Sequence, residues 1–178
     1  TYAFSENFML PLSHDEVVHS KRTILDKMFG DYDMKFDQFR LLYGYMMTHP
    51  GKKLSFMGNE IAPFLEWRVD ESLEWFMLEY EKHQQIQTFI KDLNKFYLKE
   101  KALWTCDHNW NGFKWLEANN RDQSILIFKR MTPDDNDDLI IILNFCPLSY
   151  TDYRVGVAGK ENYRLAFNSD AAAYGGTG

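Results

Sequence analysis

Only two cysteines, Cys106 and Cys146, occur in the 178 residues. That is too few for a disulfide framework, so a reducing cytoplasm is the simpler setting. Basic residues are also in deficit. Twenty Lys and Arg face 26 Asp and Glu, a net charge of −6 that argues against a nucleic-acid backbone or an anionic membrane as the main partner. No apolar run approaches the roughly 20 residues that a membrane span needs. No basic-then-apolar leader opens the chain either, an absence that says little if the chain is a fragment. Apolar residues, by contrast, make up 45% of the chain and aromatic residues 16%, enough for a packed core.

The two halves differ in periodicity. Phe36, Phe39, Leu42, Tyr43, Met46 and Met47 form a helical stripe that closes at "HPGKK". The same spacing recurs at Ile86, Phe89, Ile90, Leu93 and Phe96. Between the stripes, "KKLSFMGNE" reads as a buried strand and turn, and "NFMLPL" near the start is another short apolar run. The order strand, loop, helix, strand, long loop, helix is the rhythm of a parallel α/β sheet or barrel. After about residue 102 the pattern changes. "FKWLEA", "SILIFKRM", "LIIILNF", "YRVGV" and "NYRLAF" are alternating or β-branched runs punctuated by Asp, Asn, Gly and Pro, which predicts an antiparallel sheet or sandwich. The boundary is placed between residues 1–102 and 103–178.

The chemistry concentrates in "MLPLSHDEVVHSKRT". His14 and His19 are five apart, about 140° on a regular helix, so they cannot chelate one ion from a helix, and no metal is expected there. The acidic run "DDNDD" lacks the central Gly and distal Glu of a calcium loop and reads as a solvated hairpin tip. A His-Asp pair after a strand is often only a polar turn. In barrels of alternating strands and helices, however, the strand ends carry the active site. His14–Asp15 and Gly58-Asn59-Glu60 both occupy such ends.

At these residues the chain resembles the bacterial glycogen (1,4-α-glucan) branching enzymes of the α-amylase superfamily, glycoside hydrolase family 13. The resemblance is carried by "LPLSHDEVVHSK", "DKMFGD", "HPGKKLSFMGNE", Glu66–Trp67 and "NSDAAAYGGTG", in that order, and it runs from about Asn7 to the last residue. It implies the last two strand–helix units of a (β/α)8 barrel followed by an antiparallel β-sandwich, both incomplete. It further implies an enzyme that cleaves an α-1,4-glucan and transfers the segment to a 6-hydroxyl by a retaining mechanism, acting in the cytoplasm on glycogen or amylose without a cofactor. Asp15 aligns with the carboxylate that stabilises the transition state, and His14 with a substrate-positioning residue. The nucleophile and the general acid would lie upstream of Thr1, in the missing N-terminal part of the barrel, so the chain alone is expected to be inactive.

Glu60 and Trp67 are weaker substrate-binding candidates. Trp75 is expected to pack the long loop, and Met46, Met47 and Met57 to fill core. His49 reads as a helix-end cation, and Tyr174 as a turn packed under the β-domain. Ser20, Phe29, Pro63 and Phe76 stand where the family usually carries Gly, Pro, Gln and His. The alternatives are a non-catalytic carbohydrate-binding or domain-docking module, and another superfamily hydrolase or debranching enzyme. The His-Asp pair alone does not separate these.

Overall fold

A computed structural model describes residues 4–133, 137–157 and 162–178. Strand β1 (Met9–Leu12) pairs in parallel with β2 (Lys52–Ser55), from Met9↔Lys52 to Leu12↔Ser55. The connection between them contains helix α1 (Tyr32–Thr48), so the predicted strand–helix–strand order is present. Asp31 caps α1 by accepting from the Met34 N–H at 3.0 Å. Pro50 forces the preceding residue out of helical geometry, and His49 ends the helix with extended backbone.

Helix α2 (Glu81–Lys99) buries Ile86, Phe89, Ile90 and Leu93 against Phe36, Phe39, Tyr43 and Met47 of α1. Burying a large apolar side chain contributes about 1.5–3 kcal/mol, so this two-helix core dominates the stability of the first half. His83, in the first turn of α2, is buried and lies 2.8 Å from the Ile61 carbonyl through Nδ1.

The second half holds one antiparallel sheet of three strands, β3 (Phe113–Asn120), β4 (Ile125–Arg130) and β5 (Leu139–Asn144), in the order β3-β4-β5. Its inward residues Phe113, Phe128 and Leu143 pack on Leu41 and Tyr45 of α1. Helix α1 therefore carries the α2 core on one side and the sheet on the other. Arg130, at the end of β4, is fully buried where these parts meet. It donates to the carbonyls of Thr48 (2.7 Å), Leu103 (3.1 Å) and Gly112 (3.2 Å) and to Asp107 Oδ1 (2.7 Å).

Several expectations are corrected. The burial expected of β2 is not met: Leu54 is 36% exposed, and Met9 of β1 beside it 52%, because among the described residues each strand has one neighbour and only one face of the pair is covered. Among the described residues the second half is a single sheet rather than a sandwich, and the runs at 153–157 and 162–167 form no strand. Residues 162–166 are exposed throughout, so alternation there has neither a face to bury nor a ladder to join. Of the acidic run, residues 134–136 lie outside the described residues; Asp138 pairs with Lys129.

Tyr174 does not sit under the sheet. It stacks on Phe167 and packs edge-on against Phe89 of α2, its hydroxyl donates to Asp92, and its carbonyl accepts from Arg40 of α1. The chain can turn there because Gly175 has φ 81° and Gly176 passes so close to Asp170 that a Cβ would stand 2.1 Å from its carbonyl oxygen.

Candidate functional site

The quoted stretch leaves β1 through a single turn of 3-10 helix, His14–Glu16, closed by the Val17 N–H on the His14 carbonyl at 2.9 Å. The loop after β2 is tied to the same place. The Leu12 carbonyl accepts from the Phe56 N–H at 2.8 Å and from the buried Asn59 amide at 3.5 Å. The parallel register thus brings the two polar strand ends together at one edge of the molecule.

His14 lies against Phe56, ring centroids 6.1 Å apart, with Nε2 3.3 Å from Asp15 Oδ1. Both side chains are open to solvent, His14 at 57% and Asp15 at 66%. Beside them runs a groove bordered by His14, His19 and Arg22 on one bank and Phe64, Glu66 and Trp67 on the other. Asp15 stands next to this groove through His14, and its backbone carbonyl is held by the Lys21 ammonium at 2.9 Å. An exposed carboxylate beside an imidazole on a groove bank can exchange hydrogen bonds with a polyhydroxylated ligand, accepting through Asp15 and donating through His14.

The weaker candidates fare differently. Glu60 turns back on its own loop, accepting from the Gly58 N–H at 2.9 Å. Trp67 lines the groove but is also anchored, with its backbone N–H on the Val17 carbonyl at 3.0 Å and its ring edge-on to Phe56 at 5.3 Å. Trp75 and Met57, expected to pack inside, are each 54% exposed, because the long loop places them beyond the helices. Met46 and Met47 are buried as expected. His49 is the C-cap of α1, yet burial pulls its pKa below the ordinary imidazole value, so the site disfavours the cation that its position suggested.

The residue that sequence reasoning missed is Glu66. Its two oxygens accept the backbone N–H groups of Ser20 (2.9 Å) and Arg22 (2.6 Å). Those two bonds, Arg22 first, hold its carboxyl below the usual range. The bonds matter because the opposite bank is conformationally costly: His19, Ser20 and Arg22 all have left-handed backbone, at φ 59°, 64° and 68°. Glu66 was visible only as part of a quoted dipeptide, and no local spacing pointed to a partner more than 40 positions away.

With this geometry in view, the comparisons with known proteins are specific. Residues 115–178 match the family described as "Alpha amylase, C-terminal all-beta domain". The chain is 50% identical over 177 residues, 99% of its length, to the 1,4-alpha-glucan branching enzyme GlgB of Halothermothrix orenii, covering 28% of that protein. It is 48% identical over the same share to the branching enzyme of Desulfitobacterium hafniense, again 28% of that protein, and 50% identical to that of Bacillus anthracis, 27% of it. The chain thus spans little more than a quarter of the relatives it matches, and across that span it is closely similar to them.

Proposed function

We propose that this chain is a segment of a cytoplasmic 1,4-α-glucan branching enzyme, in which β1 and β2 are neighbouring strands of the catalytic (β/α)8 barrel. Residues 1–102 would complete that barrel, and residues 103–178 would belong to the C-terminal β-domain. The observation that carries this is the convergence of two parallel strand ends, with His14–Asp15 after one and Asn59 reaching back from the other to the Leu12 carbonyl at 3.5 Å. The exposed apolar residues Met9 and Leu54 on the pair add support, since strands inside a barrel are covered on both faces.

In this proposal the Asp15 carboxylate accepts hydrogen bonds from sugar hydroxyls at the cleavage point. Those bonds strengthen as the ring flattens toward an oxocarbenium-like state, so they favour the transition state over the ground state. His14 donates to the same sugar and, 3.3 Å from Asp15, helps to orient it. Trp67 offers part of an aromatic face on the groove, while Glu60 has one oxygen already engaged in its own turn. The covalent nucleophile and the acid/base belong to the rest of the enzyme. The acceptor is the 6-hydroxyl of another α-glucan unit.

The test is an amylose–iodine branching assay. This chain alone should leave the amylose–iodine spectrum unchanged, and Asp15→Asn in the full-length enzyme should lower turnover on the order of a thousandfold with an unchanged melting curve. Activity of the isolated chain, or a near-wild-type rate for the variant, would refute the assignment.

A further inference from the structure

The junction between the parallel unit and the antiparallel sheet gathers more positive charge than it balances. Lys53 of β2 is half-buried there, its ammonium donating to the carbonyls of His49 and Gly51 and lying 5.8 Å from the Tyr97 ring centre. The buried Arg130 guanidinium and the more exposed Lys52 ammonium stand nearby. Asp107 serves both of these, Oδ1 at 2.7 Å from Arg130 and Oδ2 at 3.5 Å from Lys52. Among the described residues, Asp107 is the carboxylate whose charge reaches Lys53, His49 and Arg130 together. His49 packs edge-on to Tyr45 of α1 and against Phe113 and Phe128 of the sheet, with Nδ1 3.1 Å from the Pro50 carbonyl. The same few residues therefore hold the sheet on α1 and decide how much charge is sealed beneath it.

The titratable and charged groups facing Lys53 and His49 come from every element around them. They are Tyr45 from α1, Lys52 from β2, Tyr97 from α2, Asp107 from the segment before β3, and Arg130 from β4. One carboxylate already committed to Arg130 cannot also neutralise a charged Lys53 and a charged His49.

We propose that this junction is an acid-released latch: with Lys53 and His49 uncharged the sheet stays seated on the end of α1, and proton uptake by the pair loosens it. Burial is the first cause in both groups, pulling Lys53 down from its ordinary value to about 7 and moving His49 below its ordinary value. For Lys53 the folded value lies below the unfolded one of 10.5. The unfolded chain thus holds the extra proton between these values, and stability rises with pH from about 7 upward. For His49 the unfolded chain takes the proton first as pH falls through 6.5, so acid again costs the folded state.

The experiment is urea unfolding of this chain at several pH values from 6 to 9.5, with hydrogen exchange of β4 read beside that of α2. The unfolding constant of the wild type should fall toward tenfold per pH unit above pH 7, the signature of one proton taken up on unfolding. Lys53→Met should lose that slope. After correction for intrinsic rates, β4 amides should gain at least tenfold more protection than α2 amides between pH 6 and 9. An unchanged slope in Lys53→Met, or equal gains in β4 and α2, would overturn the latch. Should Lys53→Met not fold, titration of the Lys53 amine in the wild type by NMR decides instead, with a midpoint near 7 supporting the latch and one near 10 overturning it.

Discussion

The carboxylate of Glu66 lies 2.6 Å from the backbone nitrogen of Arg22, joining two segments 44 positions apart in sequence and fixing the width of the groove beside His14. Glu66→Ala should release the left-handed bank at His19, Ser20 and Arg22. On the proposed function, the expected outcome in the full-length protein is a raised KM for glucan with a preserved global fold, measured by branching kinetics and circular dichroism. The clamp also has a sign in pH. Because the folded carboxyl is held below its ordinary value of 4.5, its contribution is present above that pH and is lost as pH falls through the lower folded value.

Ser20 sits at φ 64°, where a side chain with a Cβ is strained. Ser20→Gly removes that strain at the cost of extra freedom in the unfolded chain. The balance should stabilise the protein by about 0.5–1 kcal/mol, read as a rise in the urea midpoint. A fall in the midpoint would mean that the hydroxyl, rather than the backbone, decides this position. The resemblance to a family that usually carries Gly here fits the observed backbone.

Arg130→Met would leave the Asp107 carboxylate without its guanidinium beneath the sheet, take the guanidinium donors from the Thr48 and Leu103 carbonyls, and leave the Gly112 carbonyl only the Met131 N–H. Removing one partner from a buried pair costs about 3–5 kcal/mol, much more than an exposed ion pair contributes. Chemical denaturation should show this loss. A double variant that also replaces Asp107 with Leu should recover part of it.

Gly176→Ala places a methyl group 2.1 Å from the Asp170 carbonyl oxygen, inside any tolerable contact. Overpacking of this kind costs about 1–3 kcal/mol. Here the strain falls on the segment that Arg40 and Asp92 hold to the helices through Tyr174. Limited proteolysis should cut the variant earlier than the wild type, first within residues 167–178.

The two helices and the parallel strands were legible because their apolar spacing is local: Phe36 to Met47 and Ile86 to Phe96 mark their buried faces without help from elsewhere. Strands β4 and β5 were legible for a similar reason, being dense in isoleucine, and β3 from the alternation of its first residues. The same alternation failed at 153–157 and 162–167, where a strand needs a neighbour to accept its backbone bonds. At the candidate site, His14 and Asp15 could be placed at a strand end from order alone. The clamp by Glu66, the docking of Tyr174 on α2 and the outward turn of Trp75 could not, since each is set by contacts across tens of residues.

Helix α1 has no side to spare. Phe36, Phe39 and Tyr43 belong to one core, while Leu41 and Tyr45 lie beneath the sheet. Dividing the chain near residue 102 would therefore not yield two clean modules. One product would keep a helix with a greasy flank, and the other a sheet whose Phe113, Phe128 and Leu143 face water, so both should clump unless reunited. The smallest piece fit to be handled on its own straddles the point at which its periodicity changes.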